Sequence, residues 1–164
     1  MPHTTRPIAE SDTPALTELF NFFITNSFAA YPSIPTDSSI YRRLKESAGD
    51  LPFYAVDDAD GKFIGIALLR KFHPADTMKH VAEVTVFLSP DQTHTGIGSE
   101  ILQQLETEAR ARGITILMAS ASSRNEPSLK FQQRNGFVEC GRFKRVGKKF
   151  GEEYDMVWMQ KFLD

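Results

Sequence analysis

The sequence predicts an α/β fold with a mixed sheet. Apolar residues at helical spacing alternate along the chain with short runs rich in β-branched and aromatic residues. Some of those runs come in pairs around polar or glycine-bearing turns, as hairpins do. The stretch Val84-Thr85-Val86-Phe87-Leu88-Ser89-Pro90-Asp91-Gln92-Thr93-His94-Thr95-Gly96-Ile97-Gly98-Ser99 reads as a strand, a polar loop and glycines opening a long amphipathic helix. That alternation belongs to helices packed on a sheet. The length of 164 residues fits one domain, residues 1–164, with one substantial core.

In chain order, residues 3–8 form a first strand. Ser11 or Asp12 caps a helix that has Pro14 in its first turn and buries Leu16, Leu19, Phe20, Phe23 and Ile24. In the Ser- and Pro-bearing loop 27–35, Phe28 and Tyr31 either line a pocket or plug the core edge. Asp37 caps a second helix that carries Ile40, Tyr41 and Leu44 and ends near Gly49. Residues 53–57 and 63–72 form a hairpin, and a strand follows at about 81–88. Residues 96–112 give the strongest helix, with Ile97, Ile101, Leu102, Leu105 and Ala109 on one stripe and Gly113 as its stop. A buried strand at 114–119 and a short helix at 128–134, stopped by Asn135-Gly136, come next. Residues 137–145 and 154–162 close the sheet as a second hairpin. No repeat, low-complexity segment or linker interrupts this order.

Composition excludes several classes. A formal charge of -2 argues against a nucleic-acid binder, which usually carries a basic surface. The local cluster Arg142, Lys144, Arg145, Lys148 and Lys149 is either a solvated hairpin or a contact for an anionic ligand. A single cysteine, Cys140, permits no internal disulfide and disfavours a structural zinc site, which fits a reducing cytoplasm. Its alternating surroundings read it as a small packing residue rather than a nucleophile. No apolar run is long enough to span a membrane, and the first residues lack the apolar core of a signal peptide.

The glycine loop is the chemical centre of the sequence. Free N–H groups at a helix start, behind a buried strand, suit the pyrophosphate of a nucleotide-like cofactor. Gly96 and Gly98 let the backbone approach phosphate oxygens with no Cβ in the way. A helix end contributes about 0.3–1 kcal/mol per favourable exposed charge, so directed hydrogen bonds must supply the rest. The loop lacks the lysine of a P-loop and the third glycine of a dinucleotide turn. Glu83 lies in an otherwise apolar strand, where a carboxylate is costly unless paired, solvated or useful.

These motifs resemble the GNAT acyl-CoA N-acyltransferases, and among them the phosphinothricin and L-amino acid N-acetyltransferase branch. The family's cofactor motif is Arg or Gln, two residues, Gly, one residue, then Gly or Ala; here it reads Thr93-His94-Thr95-Gly96-Ile97-Gly98. The branch's His-Thr-Val-Glu stands as His80-Val81-Ala82-Glu83. Its later runs stand as Val146-Gly147-Lys148-Lys149-Phe150-Gly151 and Asp155-Met156-Val157-Trp158-Met159-Gln160. The likeness covers nearly the whole chain and is densest from His80 onward.

The resemblance implies a GNAT fold, a mixed, mostly antiparallel twisted sheet flanked by helices. It implies direct transfer of acetyl from acetyl-CoA to a primary amine in one ternary complex, with no metal. The acceptor would be a free amino acid or an analogue such as phosphinothricin or methionine sulfone, with polyamines and protein N-termini as alternatives. Amides of Thr93, His94, Thr95, Gly96, Ile97, Gly98 and Ser99 would cradle the pyrophosphate. The backbones of Val86, Phe87 and Leu88 would line the pantetheine arm, and an N–H there, assigned to Leu88, would hold the oxyanion. Asn125, with Ser128 beside it, would contact the cofactor, or else serve only as a helix-entry residue. Glu83 is the expected general base, with His80 as a weaker candidate. Phe28, Tyr31, His80, Glu83 and Gln132 would border the substrate.

The chain departs from the branch at three places. Thr93 replaces a basic or amide side chain. Gln132 stands where relatives have a Tyr or His able to return a proton to the leaving thiolate, which Gln cannot do. Glu152-Glu153 replaces Arg-Trp, which would favour cationic or neutral amines if that hairpin borders the pocket. Thr93 and Gln132 also fit a non-catalytic acyl-CoA sensor. The apolar hairpin around Phe143, Val146, Phe150 and Trp158 either pairs with a second copy as a homodimer or covers the chain's own sheet.

Overall fold

The computed structural model describes residues 2–164. Its strands are β1 (His3–Pro7), β2 (Phe53–Asp58), β3 (Phe63–Lys71), β4 (Val81–Leu88), β5 (Ile116–Ser122), β6 (Val138–Lys149) and β7 (Glu152–Phe162). Its helices are α1 (Thr13–Asn26), α2 (Ser39–Ala48), α3 (Ile97–Ala111) and α4 (Glu126–Arg134). The strands form a sheet in the order β1-β2-β3-β4-β5-β7-β6. Every neighbouring pair is antiparallel except β4 and β5. The chain therefore has the mixed α/β, mostly antiparallel sheet expected of it.

Side-chain alternation along the strands gives each face of the sheet its own core. On one face Leu16, Ile40 and Ala48 of α1 and α2 bury Phe53, Ala55, Ile66 and Leu68. On the other, Ile97, Ile101, Leu102, Leu105 and Ala109 of α3 cover Val56, Ala67, Leu69, Leu117 and Met159. The stripe read from the α3 sequence is therefore the buried one. Among the described residues no helix is long and apolar enough to cross a membrane.

Some local expectations change. Asp12 does not cap α1 with its carboxylate; it accepts the Ala9 N–H at 2.8 Å and pairs with Arg6, which also binds Asp57. That network joins β1, β2 and the entry to α1, and the Arg6 guanidinium holds the Asp12 carboxyl below its ordinary range. Cys140 is exposed rather than packed, because β6 is an edge strand with little covering it. Its Sγ donates to the Trp158 carbonyl at 3.5 Å. The closing hairpin is longer than predicted at both strands. Gly147 looks like a turn but stays paired to Tyr154, whose ring fills the space a Cβ would occupy.

Candidate acetyl-transfer site

The sheet parts in its middle. The β4–β5 ladder runs through Val81↔Ile116, Ala82↔Leu117 and Glu83↔Met118 and ends there. Beyond it β4 stays with β3 as far as Gly65↔Leu88, while β5 stays with β7 as far as Ser122↔Met156. Ser89 N–H donates to the Ile64 carbonyl at 2.7 Å on the β3 side. By alternation, Glu83, Thr85 and Phe87 turn their backbone groups toward β3, and Val84, Val86 and Leu88 turn theirs into the gap. Val86 and Leu88 thus present main-chain groups where the sequence placed them, whereas the Phe87 backbone is engaged in the β3 ladder. The Phe87 ring packs against Phe20 and Phe23 at 4.8 and 5.4 Å.

A cavity of about 260 Å³ occupies the gap and continues toward α1 and α2. β4 contributes Glu83, Val84, Thr85, Val86 and Phe87, and Ser120 and Ala121 of β5 face them. Asn125, Ser128 and Gln132 close the side next to α4. Residues 29–32, with Tyr31 among them, and Arg43 of α2 form the opposite end. Glu83 stands at the last paired position, where the gap begins, and accepts Arg70 Nη2 at 2.7 Å. Arg43 donates to Thr36 Oγ1 at 2.7 Å. The Tyr31 hydroxyl donates to Ser120 Oγ at 3.0 Å, bridging the mouth from loop to β5, and burial pushes its pKa up. Gln132 is buried; its Nε2 donates to Ser128 Oγ at 3.3 Å and its Oε1 meets no donor among the described residues. Asn125 Oδ1 accepts Ser128 N–H at 3.4 Å, so Asn125 is both helix cap and cavity wall.

The loop before α3 lies outside that cavity lining. His94 and Gly96 have φ of 63° and 86°, a path that glycine takes without strain. The first intrahelical bond is Glu100 N–H to Gly96 C=O at 3.2 Å, so the amides of Ile97, Gly98 and Ser99 precede it. Thr93 and Thr95 direct their hydroxyls to the carbonyls of Pro90 and Gln92. A Cβ on Gly98 would come 3.1 Å from the Phe131 ring, so this glycine also lets α3 and α4 pack closely. Gly96 has open space beside it.

Other candidates lie elsewhere. Phe28 packs against Phe150 and Tyr154 rather than lining the cavity. His80 is exposed, and its carbonyl accepts the N–H groups of Thr115 and Ile116. Glu152 and Glu153 pair with Arg124 and Arg145 away from the lining. Arg142 and Arg145 of the basic cluster are likewise held by carboxylates, while Lys149 is buried. Sequence reading missed Arg70 and Arg43. Arg70 had a usable signal, since it ends an apolar strand whose antiparallel register sets it opposite Glu83. Among the described residues no cluster of three or more His, Cys, Asp or Glu is arranged to hold a metal.

A strand that leaves its parallel neighbour in mid-sheet, followed by a loop of positive φ opening a helix, defines an acyltransferase scaffold here. Residues 6–158 match the family described as Acetyltransferase (GNAT) domain, and the chain belongs to that family of acetyltransferases. It is 30% identical over 164 residues to a phosphinothricin N-acetyltransferase of Alcaligenes faecalis, covering 98% of this chain and 83% of that one. It is 29% identical over 161 residues to an L-methionine sulfoximine/L-methionine sulfone acetyltransferase of Pseudomonas aeruginosa, covering 97% and 94%. Among solved structures it superimposes on a phosphinothricin acetyltransferase from Sinorhizobium meliloti in complex with AcCoA. That match has a TM-score of 0.90 at 26% identity and covers 99% of this chain and 89% of the other.

Proposed function

We propose that this chain transfers the acetyl group of acetyl-CoA to the α-amine of a small amino acid or amino-acid analogue, of the kind that phosphinothricin and methionine sulfone represent. The observation that carries this reading is the gap between β4 and β5, with Glu83 at its apex and an amino-acid-sized cavity leading out of it. At about 260 Å³ the cavity falls just below the roughly 300–1,000 Å³ of drug-sized pockets.

In this reading the pantetheine arm lies in the gap against the backbone of Val86 and Leu88, and the amides from Thr93 to Ser99 receive the pyrophosphate. The Leu88 N–H meets the thioester oxygen as the tetrahedral intermediate forms. Glu83, oriented by Arg70, takes the ammonium proton directly or through water, and the freed amine attacks the carbonyl carbon. As the intermediate collapses the nitrogen gives its second proton to water, and coenzyme A leaves as thiolate and takes a proton from water, because Gln132 cannot supply one. Arg70 and Arg43 give the cavity guanidinium groups suited to an acceptor's acidic end. That favours amino acids over polyamines, against what Glu152 and Glu153 alone imply. The chain works as one domain in the cytoplasm, and as a homodimer through the exposed apolar residues Phe143, Val146 and Phe150. It needs no metal, nucleic acid or membrane.

The test is thiol release from acetyl-CoA across free amino acids, phosphinothricin, methionine sulfone, polyamines and peptide N-termini. Saturable release with amino-acid acceptors is expected, together with a loss of about 10²–10⁴ in kcat for Glu83→Gln. Tight coenzyme A binding without release for any amine would overturn the transferase in favour of a sensor. A kcat for Glu83→Gln within a few-fold of the parent would remove Glu83 from the base role.

A further inference from the structure

Lys149 is 3% exposed, yet it faces no carboxylate among the described ion pairs. Its ammonium donates to the carbonyls of Ser27 at 2.6 Å and Ala30 at 2.7 Å, both on the loop that follows α1. The Phe150 ring lies 5.1 Å from Nζ. Burying a cation without a counter-ion is expensive, and burial pushes this lysine's pKa down. What offsets the cost is the pair of carbonyls. That of Ser27, the C-terminal cap of α1, also carries the negative end of the helix dipole.

The same loop is held from two further directions. The Tyr31 ring stacks on Tyr154 with centroids 6.0 Å apart and planes at 15°, and its hydroxyl reaches Ser120. Ala29, Ala30, Tyr31 and Pro32 then form one end of the cavity. Lys149 sits outside that lining and acts only through the backbone it grips. A methionine of similar length would fill the volume without desolvating a charge, so the lysine's distinct contribution is the position of the loop.

We propose that Lys149 is a positioning residue that fixes the 27–32 loop as the acceptor-binding wall of the cavity. The inference rests on the reading of this cavity as the acceptor site. It separates the two sides of that site, because the ammonium of Lys149 bonds the carbonyls of Ser27 and Ala30 and not β4 or the loop of Thr93–Gly98, where the cofactor is assigned.

Two readouts on the full chain test it, with L-methionine sulfone as the acceptor probe. In Lys149→Met the acceptor KM should rise about tenfold while the acetyl-CoA KM stays within twofold, and Lys149→Arg should restore most of the difference. Hydrogen exchange at amides 28–31 should accelerate in Lys149→Met without ligand, a readout that needs no turnover. An unchanged acceptor KM, an equal rise in the acetyl-CoA KM or unchanged exchange would each overturn the proposal. If Lys149→Met does not fold, Lys149→Gln, which retains a donor, is read by the same criteria. Wild-type chain that transfers nothing to the probe counts against the proposed function, and the exchange comparison still decides the role of Lys149.

Discussion

Gly65 is where the geometry of the transfer site is most exposed to a single substitution. It is buried in β3 opposite Leu88, and a Cβ built on it would lie 2.3 Å from the Phe87 carbonyl oxygen, 2.7 Å from Leu88 Cδ2 and 3.0 Å from Leu88 Cα. The first and last of these are backbone atoms, so no rotamer change relieves the clash. Gly65→Ala must push β3 and β4 apart by roughly 1 Å to reach an ordinary contact near 3.5 Å. Overpacking of this kind costs about 1–3 kcal/mol, against a gain of about 0.4–1 kcal/mol from stiffening the unfolded chain. With about 2–4 °C of Tm per kcal/mol at this size, the expected loss is up to roughly 10 °C. The displaced segment carries the Leu88 amide. A misplacement of that size costs up to about 10²-fold in rate, so kcat should fall more than either KM rises. Scanning calorimetry and initial-rate kinetics on the same preparation measure both. A Tm within about 1 °C of the parent, with kcat within twofold, would refute the argument that β3 sets the position of the β4 end.

Two further outcomes follow from the geometry. Gly96→Ala should cost about 1 kcal/mol by thermal denaturation, because φ is 86° there while the space is open; its coenzyme A affinity by calorimetry should also fall, because the added Cβ stands where the pyrophosphate would approach the backbone. Asp12 has a folded-state pKa below its unfolded value, so its contribution is fully present above about pH 4 and is lost as pH falls through the folded value. Asp12→Asn should therefore be less stable than the parent at pH 7, and the two stability curves should converge toward pH 2; parallel curves would remove Asp12 from the acid response.

Element types and the α3 stripe were legible in the sequence because periodicity is a local property. So was the gap-facing orientation of the Val86 and Leu88 main chain, once strand β4 was placed. What escaped reading depended on distant partners. Lys149 reads as one more member of a basic cluster until the fold brings it to carbonyls more than a hundred residues away. Asp12 looks like a helix cap because its competing partner, Arg6, lies on the preceding strand and is itself shared with Asp57. Gly98 sits in a phosphate-loop motif, but its neighbour is the Phe131 ring of a helix that the sequence does not order in space. Cys140 was placed by alternation, which gives the face of a strand and says nothing about whether another layer covers it.

The early end of the β4–β5 ladder has a mechanical consequence. Beyond Glu83 and Met118 the sheet is two blades, one reaching back to β1 and the other out to β6, joined along one edge like the covers of a book. An extended ligand that hydrogen-bonds along the free edge of β4 acts as a clasp between them. The blade angle rests on that short spine and on α3, which packs against Val56 and Leu69 of one blade and Leu117 and Met159 of the other. Loading the site should therefore stiffen α4 and the far end of β5 as much as the residues the ligand touches.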